Sequence, residues 1–219
     1  MFWKIIRKLK QKYNIKVIYE VGDCFGVDIS WLRAVVKKKP KDLNVDFWIY
    51  TRPDLVNQKS AFLFKKMGVK LVYLGLESGS GVLLKNANKH CNTSDIVNSI
   101  KVLEKFNINI IGTYVLGLPG ENKKTLNQTI EFTEEILKFK NIYSIGGSLI
   151  FPYIGSKAYK DLIATNLGKK FINDDDPCSF GLQKEYIKSF CGVSIKKIKL
   201  AQDLIHSMSP GPPIKREEK

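Results

Sequence analysis

Residues 72–80, reading VYLGLESGS, decide how the rest of the chain is read. Val72, Tyr73 and Leu74 favour extended backbone, and Gly75 and Leu76 prolong the apolar run. Glu77 closes it, followed by the small polar trio Ser78, Gly79 and Ser80. An apolar run bounded by turn residues predicts a strand buried on both faces. A carboxylate where such a strand ends is placed to hold a ligand, because α/β folds bind ligands at the carboxyl ends of their strands.

Outward from this run the same pattern recurs. Residues 16–21 (KVIYEV), 45–51 (VDFWIYT), 108–116 (INIIGTYVL) and 142–151 read as further strands, with 69–77 as the third of five. Helical spacing separates them. Phe2, Ile5, Ile6 and Leu9 mark a first helix ending at Asn14, and Trp31, Leu32, Val35 and Val36 mark a second, capped by Asp28 or Ser30. A helix over 55–67 stops at Gly68, and one capped by Ser94 and Asp95 runs to 106. Residues 124–139, 156–164 and 194–208 complete the helices. Helix first, then strand and helix five times, means parallel strands joined by crossover helices. A barrel and an open doubly wound sheet both satisfy that order. No GxGxxG follows the first strand and no Walker loop is present, which lowers the dinucleotide and nucleotide readings.

The 219 residues suffice for one sizeable core, and 44% hydrophobic with 11% aromatic content predicts a folded chain. No apolar run approaches the roughly 18 residues that span a bilayer, so no membrane partner and a soluble, cytoplasmic protein are expected. The net charge of +15 raises nucleic acid as a partner, but the lysines are scattered through every segment, as in a general lysine bias. Cys24, Cys91, Cys178 and Cys191 make no CxxC pair, which speaks against a zinc site or a redox dithiol.

Each strand is followed at once by polar or glycine residues: Asp23 after the first, Arg52 after the second, Glu77 and Ser78 after the third. Gly117-Leu118-Pro119-Gly120-Glu121 follows the fourth and Pro152-Tyr153 the fifth. Together these suit a zwitterionic, partly aromatic ligand: carboxylates bind an ammonium, a cation binds a carboxylate, and glycines admit close backbone approach.

The motifs GLESGSGVLLKNANKH (75–90), GTYVLGLPGEN (112–122) and FPYIGS (151–156), in that order, resemble the radical S-adenosylmethionine (SAM) enzymes. The likeness covers about residues 17–159 and is greatest to the branch holding cobalamin-dependent members and methylthiotransferases. It implies an α/β fold, a partial parallel (β/α) TIM-like barrel. It also implies a [4Fe-4S] cluster and cleavage of SAM to a deoxyadenosyl radical, with cobalamin as a further cofactor of the branch. Residue by residue, Glu77 matches the acid on the ribose and methionine of SAM. Lys89 matches the basic residue pairing with the methionine carboxylate, and Asp23 the acidic loop near the methionine amine. Gly117, Leu118 and Pro119 match the turn on the adenosine, and Phe151, Pro152 and Tyr153 the segment near adenine. Ile154-Gly155-Ser156 stands where the family usually has Pro-Gly-Thr.

The resemblance breaks at the front. The family's CxxxCxxC cluster loop is absent, and the opening helix corresponds to the first barrel helix, so the first strand is expected to be missing. Residues 1–165 are then a partial barrel, 166–208 a C-terminal helical extension and 209–219 a disordered tail. The chain is expected to be a truncated core, inactive until a separate or upstream cluster-bearing segment completes it. Beside this stand a non-catalytic SAM- or partner-binding remnant and an RNA-modifying relative, with small-molecule and RNA substrates both open. For single residues the plain alternatives are a structural ion pair for Glu77, a solvated Lys89, a strand-end cap for Arg52, and a small buried hydrophobe for Cys24. His90 and His206 have no partner at ligand spacing and read as surface residues.

Overall fold

The computed structural model describes residues 1–22, 24–171 and 180–209. Five parallel strands form one sheet in the order β1-β2-β3-β4-β5, and the sheet is not closed. They are β1 (Val17–Tyr19), β2 (Asp46–Thr51), β3 (Val69–Glu77), β4 (Asn109–Leu116) and β5 (Ile142–Leu149). Sequential order with helices between the strands is the barrel type of winding, not the doubly wound one, whose strand order reverses. β1 is shorter than the six residues expected. Its flanks still join the ladder on one side, through Lys16 O from Asp46 N and Glu20 N to Trp48 O. β2 meets β3 with a register shift at Phe47/Trp48, after which Ile49 faces Val72 and Tyr50 faces Tyr73.

The helices are α1 (Phe2–Tyr13), α2 (Ile29–Lys37), α3 (Gln58–Met67), α4 (Gly81–Asn86), α5 (Thr93–Lys105), α6 (Lys123–Ile136), α7 (Lys157–Ile163), α8 (Phe180–Phe190) and α9 (Ile195–Met208). Asp28 caps α2 through Ser30 N and Trp31 N. The helix expected over 55–67 is instead a 3-10 turn, Pro53–Leu55, followed by α3, because Asn57 and Ser60 form a reciprocal capping box that restarts the helix. Asn14 and Gly68 end α1 and α3 in the left-handed conformation. Two helices, α4 and α8, lie where none was expected.

Contacts divide the chain into two units. One comprises 1–76, 94–112 and 136–144, the other 77–93, 113–135 and 145–219. In the first, Leu32, Ile49, Phe64, Met67, Leu74, Ile100 and Leu103 are fully buried, as strands and helices with apolar inner faces require. The alternate face of its strands carries Tyr19, Tyr50 and Tyr73. The Tyr50 and Tyr73 rings stack at 4.7 Å, and the Tyr19 and Tyr50 hydroxyls are hydrogen-bonded.

In the second unit Leu162, Phe171, Leu182 and Tyr186 form a core onto which Ile150, Phe151 and Tyr159 pack. Here α9 seals the open edge of β5. Gly147 N donates to His206 Nε2 (3.1 Å), Ile145 N to Ser209 Oγ (2.8 Å), and Gln202 Nε2 donates to Gly147 O (2.7 Å). Residues 202, 206 and 209 recur at helical spacing, so one helix face meets the unpaired groups that an edge strand otherwise leaves to solvent. His206, read as a plain surface residue, thus has a backbone partner. Among the described residues no helix is long and apolar enough to cross a membrane.

Candidate functional site

Glu77 ends β3 with φ at 62°, in the left-handed region that a non-glycine residue occupies at a cost of about 1–2 kcal/mol. That turn points its carboxylate at Lys89, with Nζ to Oε1 at 2.8 Å and side chains 36% and 20% exposed respectively. The eleven intervening residues explain the meeting. Helix α4 buries Leu83 and Leu84, Asn88 turns left-handed (φ 53°), and Lys89 N then donates to Leu84 O. The chain reverses and returns the lysine to the strand end.

Ser78 is only 2% exposed, and its hydroxyl serves the turn itself. It lies 3.3 Å from Thr129 Oγ1 and accepts from Ser80 N at 3.1 Å. Gly79 N donates to the same Thr129 Oγ1 (3.1 Å). A Cβ on Gly79 would stand 2.7 Å from both Phe132 Cβ and Thr129 Cα, so only glycine lets the turn lie this close to α6. Ser80 Oγ is buried without a hydrogen-bond partner, a polar atom that costs stability unless something else engages it.

The second motif begins at the foot of α6. Gly117 and Gly120 both have φ near +89°, as the tight turn requires. Glu121, 1% exposed, closes it from below: its Oε2 accepts from Gly117 N at 2.8 Å and its Oε1 from Thr125 Oγ1 at 3.2 Å. Burial raises the Glu121 carboxyl above the usual carboxylate range, and the hydrogen bonds from Gly117, Thr125 and Leu118 offset only part of that. The α8–α9 link braces the turn from the other side. Gly120 N donates to Phe190 O, Gly192 N to Glu121 O, and Cys191 Sγ lies 3.3 Å from Gly117 O. Burial pushes the Cys191 thiol up to about 12, so it is a protonated donor here and not a thiolate. A Cβ on Gly120 would lie 3.5 Å from Asn86 Nδ2 and 3.8 Å from Leu83 Cδ2, which places α4 against this turn. Helices α4 and α6 therefore bind the GLESGS and GLPGE motifs into one construction.

Among the expected site residues, Glu77, Ser78, Lys89, Gly117, Leu118 and Pro119 belong to this construction. Leu118 is buried and Pro119 half-buried. Phe151, Pro152 and Tyr153 follow β5 in the same unit: Phe151 packs on the Leu162–Tyr186 core, Pro152 is buried, and Tyr153 is exposed with its ring 4.9 Å from that of Phe151. Arg52 lies in the other unit, where Asp54 holds it by two contacts of 2.9 and 2.6 Å. Asp23 lies outside the described residues, as do Cys178 and residues 210–219 of the tail. Glu121 and Cys191 were not expected at the site. The first stood in plain view within GLPGE, while nothing in sequence ties Cys191 to residue 117.

The chemistry on offer is an anion beside a cation, partly exposed at a strand end, next to a glycine turn with apolar walls. This donor set offers partners for the ammonium and carboxylate of an amino-acid ligand, and the left-handed Glu77 and the buried Ser80 hydroxyl without a hydrogen-bond partner lie in the same turn. The donor set does not fit an iron–sulfur cluster. Among the described residues no three Cys, His, Asp or Glu side chains converge on a metal position.

The comparisons with known proteins speak to family and fold. Over 165 residues the chain is 27% identical to an uncharacterized methyltransferase of Pyrococcus horikoshii, matching 73% of this chain and 34% of that protein. It is 26% identical over 141 residues to the ribosomal protein uS12 methylthiotransferase RimO of Thermosipho melanesiensis, matching 60% of this chain and 32% of that one. The chain thus spans about a third of these relatives' length. The radical SAM methyltransferase TsrM of Kitasatospora setae, solved with cobalamin and a [4Fe-4S] cluster, superposes at a TM-score of 0.60. That match has 19% identity over 73% of this chain and 31% of TsrM, a likeness of fold. The family model of the radical SAM superfamily matches residues 2–133, and the chain belongs to that superfamily.

Proposed function

We propose that this chain binds SAM at the end of β3 and serves the SAM-dependent radical chemistry of its family. The observation that carries the reading is Glu77, held left-handed at the strand terminus with its carboxylate beside Lys89. A backbone strain of this kind persists only where surrounding structure over-determines it, and such strain clusters at ligand sites. In this reading Glu77 accepts hydrogen bonds from the ribose or ammonium of SAM, and Lys89 gives its ammonium to the methionine carboxylate. Before SAM arrives, the two neutralise each other. Gly117 to Pro119 supply a flat backbone surface for the nucleoside, with Phe151 and Tyr153 as the aromatic contribution. Ser78 and Glu121 position: one fixes the GLESGS turn to α6, the other fixes the GLPGE turn to itself.

Together with a reduced [4Fe-4S] cluster, SAM supplies a radical for hydrogen abstraction. The cluster in this proposal comes from a cluster-bearing segment outside these 219 residues, since the described cysteines do not converge. The test is anaerobic reconstitution with iron and sulfide, followed by metal analysis and a deoxyadenosine assay. The chain alone is expected to bind no stoichiometric cluster and form no deoxyadenosine. Adding a separately expressed cluster-bearing segment should restore both. A stoichiometric cluster on the chain alone would refute the division of labour proposed here.

A further inference from the structure

Helices α6 and α9 leave a groove of about 380 Å³ on the surface of the second unit, remote in sequence from GLESGS and independent of the SAM reading. The segments just before the two helices are joined, Gly192 N donating to Glu121 O, and residues of both helices line the groove. The groove floor is apolar. Leu126 and Ile130 come from α6, Leu200 and Leu204 from α9, each pair four residues apart, so the floor has two rungs about one helical turn apart. Leu200 is 60% and Leu204 44% exposed. Lysines supply all the charge of its lining: Lys123 and Lys197 border it, no carboxylate does, and neither lysine has an ion-pair partner among the described residues.

From this arrangement we infer that the groove is a docking site for an amphipathic helix of a protein partner, with acidic residues flanking its apolar stripe. Apolar side chains at i and i+4 on the incoming helix match the spacing of the two rungs, as in other helix-in-groove recognition. Charge complementarity selects the partner. The unpaired lysines at the border attract an acidic flank, and a chain of net charge +15 repels a second copy of itself. Burying the exposed leucines provides the affinity, while the lysines set specificity and association rate.

The test uses two fluorescein-labelled synthetic helical peptides of about five turns, each with leucines at i, i+4, i+7 and i+11, flanked in one by Glu and in the other by Lys. Fluorescence anisotropy with the full chain is expected to show the Glu peptide binding at least about tenfold more tightly than the Lys peptide, less so at high salt. Leu200→Asp should abolish binding. Because Leu200 is mostly exposed, the melting temperature should be unchanged. The double variant Lys123→Glu/Lys197→Glu should invert the preference toward the Lys peptide, an exchange that a structural role would not produce. Equal binding of the two peptides, or Glu-peptide binding that survives Leu200→Asp, would overturn the inference. So would a concentration-dependent dimer in sedimentation that Leu200→Asp dissolves, which would give the groove to a second copy.

Discussion

Replacing Glu77 separates the cost of its backbone from the use of its side chain. Its φ of 62° is a conformation glycine adopts freely and alanine does not. Glu77→Ala keeps that strain and loses the Lys89 pair, whose partners are 20% and 36% exposed and which therefore contributes at most about 1 kcal/mol. Glu77→Gly loses the same pair but relieves the strain, for a difference of about 1 kcal/mol in its favour. In a chain of this size that is about 2–4 °C in melting temperature. Binding should move the other way. Both variants remove a charged hydrogen-bond acceptor worth about 1.5–3 kcal/mol, so SAM should bind roughly tenfold to a hundredfold more weakly. Differential scanning fluorimetry and calorimetric titration read the two effects on the same samples. If Glu77→Gly melts no higher than Glu77→Ala, the strain argument fails. If Glu77→Gly binds SAM as tightly as the parent chain, the carboxylate is not a ligand and the pair with Lys89 is merely structural.

Three further outcomes follow from the geometry. Gly79→Ala drives a Cβ to 2.7 Å from Phe132 Cβ and Thr129 Cα, so it should cost about 1–3 kcal/mol in urea unfolding and weaken SAM binding by displacing the turn. Burial holds the folded Glu121 carboxyl above its unfolded value, so the folded state binds that proton more tightly, and stability falls as pH rises from the ordinary carboxylate range toward the raised value. Glu121→Gln should remove this slope and match or exceed the parent at neutral pH, whereas Glu121→Ala leaves the Gly117 N–H unpaired and should cost about 1–3 kcal/mol; denaturation series at acid and neutral pH distinguish them. His206→Ala and Gln202→Ala each uncap a backbone group of β5, so each should lose about 1 kcal/mol and speed amide exchange at Gly147 in the first case.

The strands were legible because their apolar runs are continuous, and β3 with both faces occupied is the clearest of them. The GLESGS and GLPGE motifs were legible because only short polar or glycine segments fit after such strands. What escaped depends on distance in sequence. Lys89 reaches Glu77 only through α4 and a left-handed Asn88, two features that residue type specifies weakly. Cys191 meets Gly117 across 74 positions, through helix α8, which buries Leu182, Tyr186 and Ile187, and no local signal links so distant a pair. The polar face of α9 looked like a solvated surface, because nothing local distinguishes a residue facing water from one facing a strand edge. Arg52 illustrates the converse: a cation after a strand looks ready for a ligand, yet Asp54 two residues on already engages it.

The most direct test of SAM binding at the end of β3 is hydrogen–deuterium exchange of the full chain, with and without saturating SAM. Protection should concentrate at residues 77–89 and 117–121, and in Glu77→Ala it should require roughly tenfold to a hundredfold more SAM. Protection confined to other segments, or none at all in a chain that remains folded, would contradict it.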